Sequence, residues 1–294
     1  MTQLAVDTPR AGDARPQPVA SGRRRRGWWP SPWHLVLFPL ALVMSIPLLW
    51  MVVTSLSTRA DTQRFPPGLP SSPHWSNFSQ AWTEAPFGHW LANSAIVSVT
   101  CVISNLVLCS LAGYAFARIR FAGNRIVFAL LLATLMVPFQ VVMIPSLLIV
   151  KHLGLVDSLP ALIVPNLATP FGIYLLRQFF LTLPTELEEA AMIDGAGRIR
   201  VLFSILLPLM GPPLSTLAVL TFLWTWNDFL WPLVATASPS VMTVQLGLAS
   251  FQGAHLTVWP VLMAGTLISQ LPLLVLFLLG QRYFVSSIAT TGIK

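Results

Sequence analysis

The chain is short of charge. Only 9% of its 294 residues are Asp, Glu, Lys or Arg, where a soluble domain carries about 25%, so it cannot solvate a surface in water and an ordinary soluble enzyme is excluded. It has two cysteines, Cys101 and Cys109. On one predicted helix they stand about 12 Å apart, beyond the roughly 7 Å limit for a disulfide, so they read as packing residues. No GxxxxGK[ST] phosphate loop is present, so the chain does not bind and hydrolyse ATP by that means. The five histidines fall near predicted membrane boundaries with no pair at metal-ligand spacing, and no metal site is assigned. No Ser/His/Asp or Cys/His arrangement sits on a soluble platform, so no catalytic residue is expected. The net charge of +7 lies mostly in an N-terminal tail and short loops. That distribution reads as membrane orientation rather than nucleic-acid binding.

What the chain has in excess is apolar length. Its mean hydropathy is +0.72, and apolar runs of the ~20 residues needed to cross a bilayer recur along it. Residues 1–31 read as a disordered basic tail, in which Arg23 to Arg26 precede Trp28 and Trp29 as an interfacial anchor. An uncleaved first span follows over 32–56, too long for the apolar core of a signal peptide. Residues 57–90 form an outer segment in which Trp75, Phe78 and Trp82 at i, i+3, i+7 suggest an interfacial helix; the same rings would also suit packing on the ends of neighbouring spans. The core, 91–281, holds five more spans, at about 91–116, 126–150, 160–180, 211–235 and 258–281, with bends expected at Pro138 and Pro145. Residues 282–294 form a tail. Six spans put both termini on one side, and 14 of the 17 Lys and Arg fall on that side. By the positive-inside rule it is the cytoplasm.

The polar island 183–208 organises the rest. It carries four of the ten carboxylates (Glu186, Glu188, Glu189, Asp194) between two spans, with the grammar of helix, turn, helix. Thr185 followed by Glu188 predicts a capping box, and three Glu in the first turns suit the positive end of the helix dipole. Leu187, Ala190 and Ala191 form a narrow face that could lie flush against another protein. Gly195 is placed to end the helix in a left-handed conformation. A second helical stretch runs from about Arg198 until Pro208.

Within the spans the one carboxylate is Asp228, in Trp224-Thr-Trp-Asn-Asp-Phe-Leu-Trp-Pro232. Trp224, Trp226 and Trp231 beside Asn227 and Asp228 would suit a sugar, rings stacking on its apolar face and polar groups taking its hydroxyls. The same polar pair would equally hold two helices or two subunits together.

The spacing Glu189-Ala190-Ala191, Gly195, Ile205, Leu207-Pro208 resembles the cytoplasmic coupling loop of bacterial ABC importer permeases. LANS (91–94), AGYAFAR (112–118), RQFF (177–180), WNDFLWPL (226–233) and QRYF (281–284) extend the likeness over most of 75–285. It is to the carbohydrate-uptake (maltose-type) permeases, on the side of the smaller of the two permease subunits; the ending SSIATTGIK departs from their usual Gly- and Ala-rich tail. The resemblance implies an all-α type I ABC importer permease fold with six spans and a coupling helix-turn-helix, multi-pass in the cell membrane. It implies ATPase coupling through Glu188, Glu189, Ala190, Ala191, Asp194, Gly195, Ile205, Leu207 and Pro208. The implied partners are a second homologous permease, two ATPase subunits carrying the ATP and Mg, and an extracellular solute-binding protein; this chain itself would hold no cofactor. The alternative from another class is a secondary transporter or channel subunit working without an ATPase, which would place several ionisable residues in its spans.

Overall fold

A computed structural model describes residues 33–65, 68–252 and 257–291; the basic tail expected over 1–31 lies outside the described residues. Among the described residues the fold is helix and turn, with one antiparallel bridge between Gln252 and Thr257. The chain divides into two compact units, Met1–Ile46 and Pro47–Lys294. The described part of the first is the leading half of α1 (His34–Ser55), apolar along its length.

The second unit is built around α4 (Phe87–Arg118), a helix of 32 residues, about 48 Å long. Before it come α2 (Arg59–Gln63) and α3 (Ser76–Thr83). The expected outer helix is α3, with Trp75 and Trp82 exposed. Buried Asn77 donates from Nδ2 to the carbonyls of Ser55 (2.8 Å) and Ser57 (2.9 Å), satisfying acceptors at the C-terminal end of α1 that have no helical partner. After α4 come α5 (Asn124–Thr134), α6 (Phe139–His152), α7 (Leu159–Ile163) with a tight turn over Val164–Asn166, and α8 (Pro170–Thr182). Then follow α9 (Glu186–Ile193), α10 (Arg198–Val201), a widened turn over Leu202–Leu206, α11 (Leu207–Leu209), α12 (Gly211–Trp226), α13 (Leu230–Ala235), α14 (Val244–Ser250) and α15 (Trp259–Thr291).

Four of these helical stretches are long and apolar enough to cross a bilayer, six if each bent pair counts as one span. The expected third span is one of the bent pairs. α5 and α6 meet at 104°, because Pro138 lacks the N–H that would continue the ladder and sits in extended backbone. Pro145 lies inside α6 without interrupting it. The other bent pair is Arg198–Leu209 with Gly211–Trp226, at 87°. The expected fourth span is one of the four single stretches, Leu159–Thr182, although a tight turn and non-helical 167–169 separate α7 from α8. The expected fifth is interrupted at 227–229, between α12 and α13. The expected sixth span ends late: α15 continues to Thr291, through most of the segment read as a tail.

α4 packs most extensively on α8 and α12. A Cβ at Gly172 would stand 2.8 Å from Cys109 Sγ and 3.0 Å from Leu217, so glycine is what lets α8 approach this closely. Buried Asn105 uses its whole amide. Nδ2 donates to the carbonyls of Cys101 (2.9 Å) and Asn166 (2.7 Å), while Oδ1 accepts from Thr169 N (3.0 Å) and Oγ1 (2.9 Å). It thereby fixes the backbone break ahead of α8 against the middle of α4.

The first turns of α4 hold the connection from α13 to α14. Trp90 Nε1 donates to the Pro239 carbonyl (2.9 Å), Asn93 Nδ2 to those of Ser240 (2.8 Å) and Met242 (3.0 Å), and Ser94 Oγ accepts from Val244 N (2.8 Å). Those bonds give the LANS stretch its physical role. Asp157 grips the same connection: its carboxylate accepts from Ala237 N and Ser238 N, each at 2.9 Å, and from the Ser238 hydroxyl. Its backbone is left-handed, φ 60°, a conformation Asp tolerates better than most side chains. These bonds, the Ser238 hydroxyl's foremost, hold the carboxyl below its ordinary range.

Candidate functional site

The loop 183–208 folds as helix, turn, helix, and the way α9 ends was legible in advance. Gly195 N donates to the Met192 carbonyl (3.1 Å) and Ala196 N to the Ala191 carbonyl (2.9 Å). This is the paired closure of a Schellman end, with Gly195 at φ 81°. Its start differs from expectation. Thr185 is in helical backbone and makes no side-chain cap, and Glu188 does not reach back to close a box. The carboxylate is drawn inward instead. Its Oε1 lies 2.7 Å from Arg118 Nε as an ion pair, at an angle outside that of a hydrogen bond, and its Oε2 accepts from the Tyr114 hydroxyl (3.2 Å). A capping box does form at Thr58, whose side chain and backbone exchange hydrogen bonds with Asp61.

Inward and outward faces of α9 follow from this. Glu188 and Ala191, one turn apart, are buried, Ala191 in a cluster with Tyr114, Phe180, Val201 and Leu206. Ala191, expected on a face offered to a partner, is therefore a core residue of this chain. Glu189, Ala190, Asp194 and Gly195 are exposed. So is Ile193, at 86%, with Ile199 across the turn at 63%. Neither isoleucine was singled out from sequence; the signal was a branched apolar side chain in a polar loop, out of phase with the buried stripe. Ile205 and Leu207 are half-buried against the same cluster. Pro208 explains the widened turn before it: it offers no N–H to the Ser204 carbonyl and its ring needs room there, and the five residues ahead of α11 take the wider π geometry.

A second candidate region lies where three interrupted helices meet. A cavity of about 650 Å³ is lined by Phe139 and Gln140 at the α5–α6 break, Asn166 at the α7–α8 break, and Trp224, Asn227 and Asp228 at the α12–α13 break. Irregular backbone at membrane depth is tolerated where it lines such a space. Trp224 is 74% exposed. Asn227 Nδ2 donates to Leu223 O (2.8 Å) and its Oδ1 accepts from Gln245 (3.3 Å), while Asp228 Oδ1 accepts from Trp231 N at 3.3 Å, within its own turn.

Two indoles expected beside them are elsewhere. Trp226 is buried, donates to the Ser269 carbonyl (3.2 Å) and stacks on Phe222; Trp231 is buried and donates to the Ala161 carbonyl (3.0 Å). Neither lines the cavity. Two residues apart on a helix means roughly 200° apart around it, so Trp224 and Trp226 could not share a face, and a buried indole N–H seeks a carbonyl. Gln140 and Asn166, by contrast, were not legible, since only the fold brings those breaks together.

The model of the family described as "Binding-protein-dependent transport system inner membrane component" matches residues 105–290. The chain is 36% identical over 261 residues to the arabinooligosaccharides transport system permease protein of Halalkalibacterium halodurans, covering 87% of this chain and 93% of that one. It is 37% identical to the sn-glycerol-3-phosphate transport system permease protein of Yersinia enterocolitica, over 85% and 90% of the two chains. Its fold is similar to a chain in the crystal structure of a bacterial ABC transporter involved in the import of the acidic polysaccharide alginate, with a TM-score of 0.75, 24% identity, and coverage of 85% and 94%.

Proposed function

The chain belongs to the binding-protein-dependent transport system inner membrane components, a permease subunit of an ABC importer and not an enzyme, and from that premise we propose that it forms one half of the pathway for a sugar or sugar-derived solute. The carrying observation is the cavity at the three helix breaks, where amide and carboxylate side chains stand beside the exposed ring of Trp224. Such a lining suits a polyhydroxylated ligand, with polar groups for hydroxyls and an aromatic face for the ring. Of the named substrates of the two relatives, arabinooligosaccharides are polyhydroxylated rings of that kind, while sn-glycerol-3-phosphate is an acyclic, sugar-derived phosphate that shares only the hydroxyls.

The other half of the pathway is a second, homologous permease, and an extracellular binding protein delivers the solute. Two ATPase subunits, which hold the ATP and Mg, receive a loop from each permease. On this chain the surface that docks there is the outer face of α9 with its turn: Glu189, Ala190, Ile193, Asp194 and Gly195. The inward Glu188 and Ala191 and the half-buried Ile205 and Leu207, followed by the exposed Pro208, join that surface to the spans. Proteoliposomes holding the two permeases and two ATPases should accumulate labelled oligosaccharide or glycerol phosphate only with ATP and binding protein present. Accumulation without ATP would favour a secondary transporter instead.

Both termini and the loop 183–208 face the cytoplasm on this reading, and cysteine labelling tests it. In a Cys101→Ala, Cys109→Ala background, Gln63→Cys, exposed at the end of α2, should react with an impermeant thiol reagent applied to intact cells. Ala122→Cys, exposed between α4 and α5, should react only after the membrane is opened. The opposite pattern reverses the topology.

A further inference from the structure

Arg118, in the last turn of α4, holds two other elements at once. Its Nε pairs with Glu188 Oε1 in α9 (2.7 Å), and its Nη2 donates to the Leu183 carbonyl just after α8 (2.5 Å). One turn back, the Tyr114 hydroxyl donates to the other oxygen of the same carboxylate (3.2 Å). The Arg118 and Glu188 side chains are 11% and 8% exposed. Stability alone is a poor reason for such a pair. Withdrawing two charges from water costs about what their attraction returns, and well-packed apolar replacements are often no less stable. What the pair supplies that methionines would not is a fixed relation between α9 and the end of α4.

α4 then runs unbroken to the other candidate region. Thirteen positions before Arg118, Asn105 binds the Asn166 carbonyl at 2.7 Å, and Asn166 lines the cavity. Ion pair, helix and amide thus form a continuous physical connection from the loop that faces the ATPase to a wall of the pathway. We infer that Arg118 and Glu188 are positioning residues for energy coupling: the pair makes α9 and α4 move as one piece, so that displacement of the loop reaches the cavity wall held by Asn105. The inference rests on the importer reading above and adds to it which side chains carry the movement.

The test uses the complete importer in proteoliposomes and reads solute moved per ATP hydrolysed. In Arg118→Met/Glu188→Met the complex should form in ordinary amount with its ATPases bound, while that ratio falls on the order of 10-fold, the size of a typical coupling between sites. Arg118→Lys, which keeps the charge but lacks the fork that reaches both Glu188 and Leu183, should give an intermediate ratio. A pair that only stabilises the fold would reduce the quantity of complex and leave the ratio unchanged. A wild-type ratio in the double variant therefore overturns the inference. If the double variant does not assemble, Arg118→Lys decides: a lowered ratio supports the inference and a wild-type ratio overturns it. Wild-type vesicles without ATP-driven uptake would instead overturn the importer reading itself.

Discussion

Ile193→Asp is expected to abolish ATP-driven uptake and release the ATPase subunits on detergent extraction, while the permease reaches the membrane at its ordinary level. Ile193 is 86% exposed at the end of α9 and makes no contribution to the core of this subunit, so its loss should leave folding untouched. Buried in a groove of a partner, an isoleucine contributes about 1.5–3 kcal/mol, and a carboxylate in the same groove adds an unpaired charge that must be desolvated. The two effects act in the same direction. Against roughly 1.4 kcal/mol per tenfold in affinity, they are enough to empty the site at ordinary subunit concentrations. The contrast with Ala191 is informative, because enlarging that buried alanine would overpack the cluster of Tyr114, Phe180 and Leu206 and lower the amount of folded permease instead. Ile193→Asp at normal membrane level, with ATPase still bound and uptake unchanged, would show that this face is not the docking surface.

The coupling loop shows what a sequence of this kind makes legible. Gly195 could be placed because a helix end has few solutions, and glycine after an apolar turn is the cheapest of them. The spans could be placed because a bilayer core sets their length. Glu188 could not, since an N-terminal glutamate has two destinations. The local one is the backbone N–H of Thr185; the distant one, Arg118, lies 70 positions earlier in the chain, and only the fold brings it within an ion-pair distance. The tryptophans failed for a related reason. Composition says that indoles cluster around Asp228 in sequence, but rotation about the helix sends Trp224 outward and Trp226 inward, and the break at 227–229 turns Trp231 onto Ala161. Asn105 was overlooked because a neutral amide in an apolar run leaves little trace in composition, although it bonds two backbone segments in the folded chain.

Asp228→Asn should lower uptake by on the order of 10-fold or more, the loss expected when a charged hydrogen-bond partner worth about 1.5–3 kcal/mol becomes neutral. The substitution keeps the volume and one carbonyl oxygen, so the acceptor for Trp231 N, at 3.3 Å from Asp228 Oδ1, can be retained and α13 should start where it does now. What changes is the charge at the cavity. The amide replaces one acceptor oxygen with a donor, and sugar hydroxyls bound to the carboxylate must reorient or be lost. Because the Asp228 bond given by the structure is to its own turn, removing the charge should not part α12 from its neighbours within the subunit. The complex should therefore assemble with its ATPases and bind the loaded solute-binding protein as before, while solute passes slowly. Loss of assembly would place Asp228 at the contact between the two permeases, where a carboxylate can join subunits rather than meet solute. Uptake at the wild-type rate from a fully assembled complex would remove it from both roles, leaving Gln140, Asn166 and Asn227 as the polar groups of the cavity.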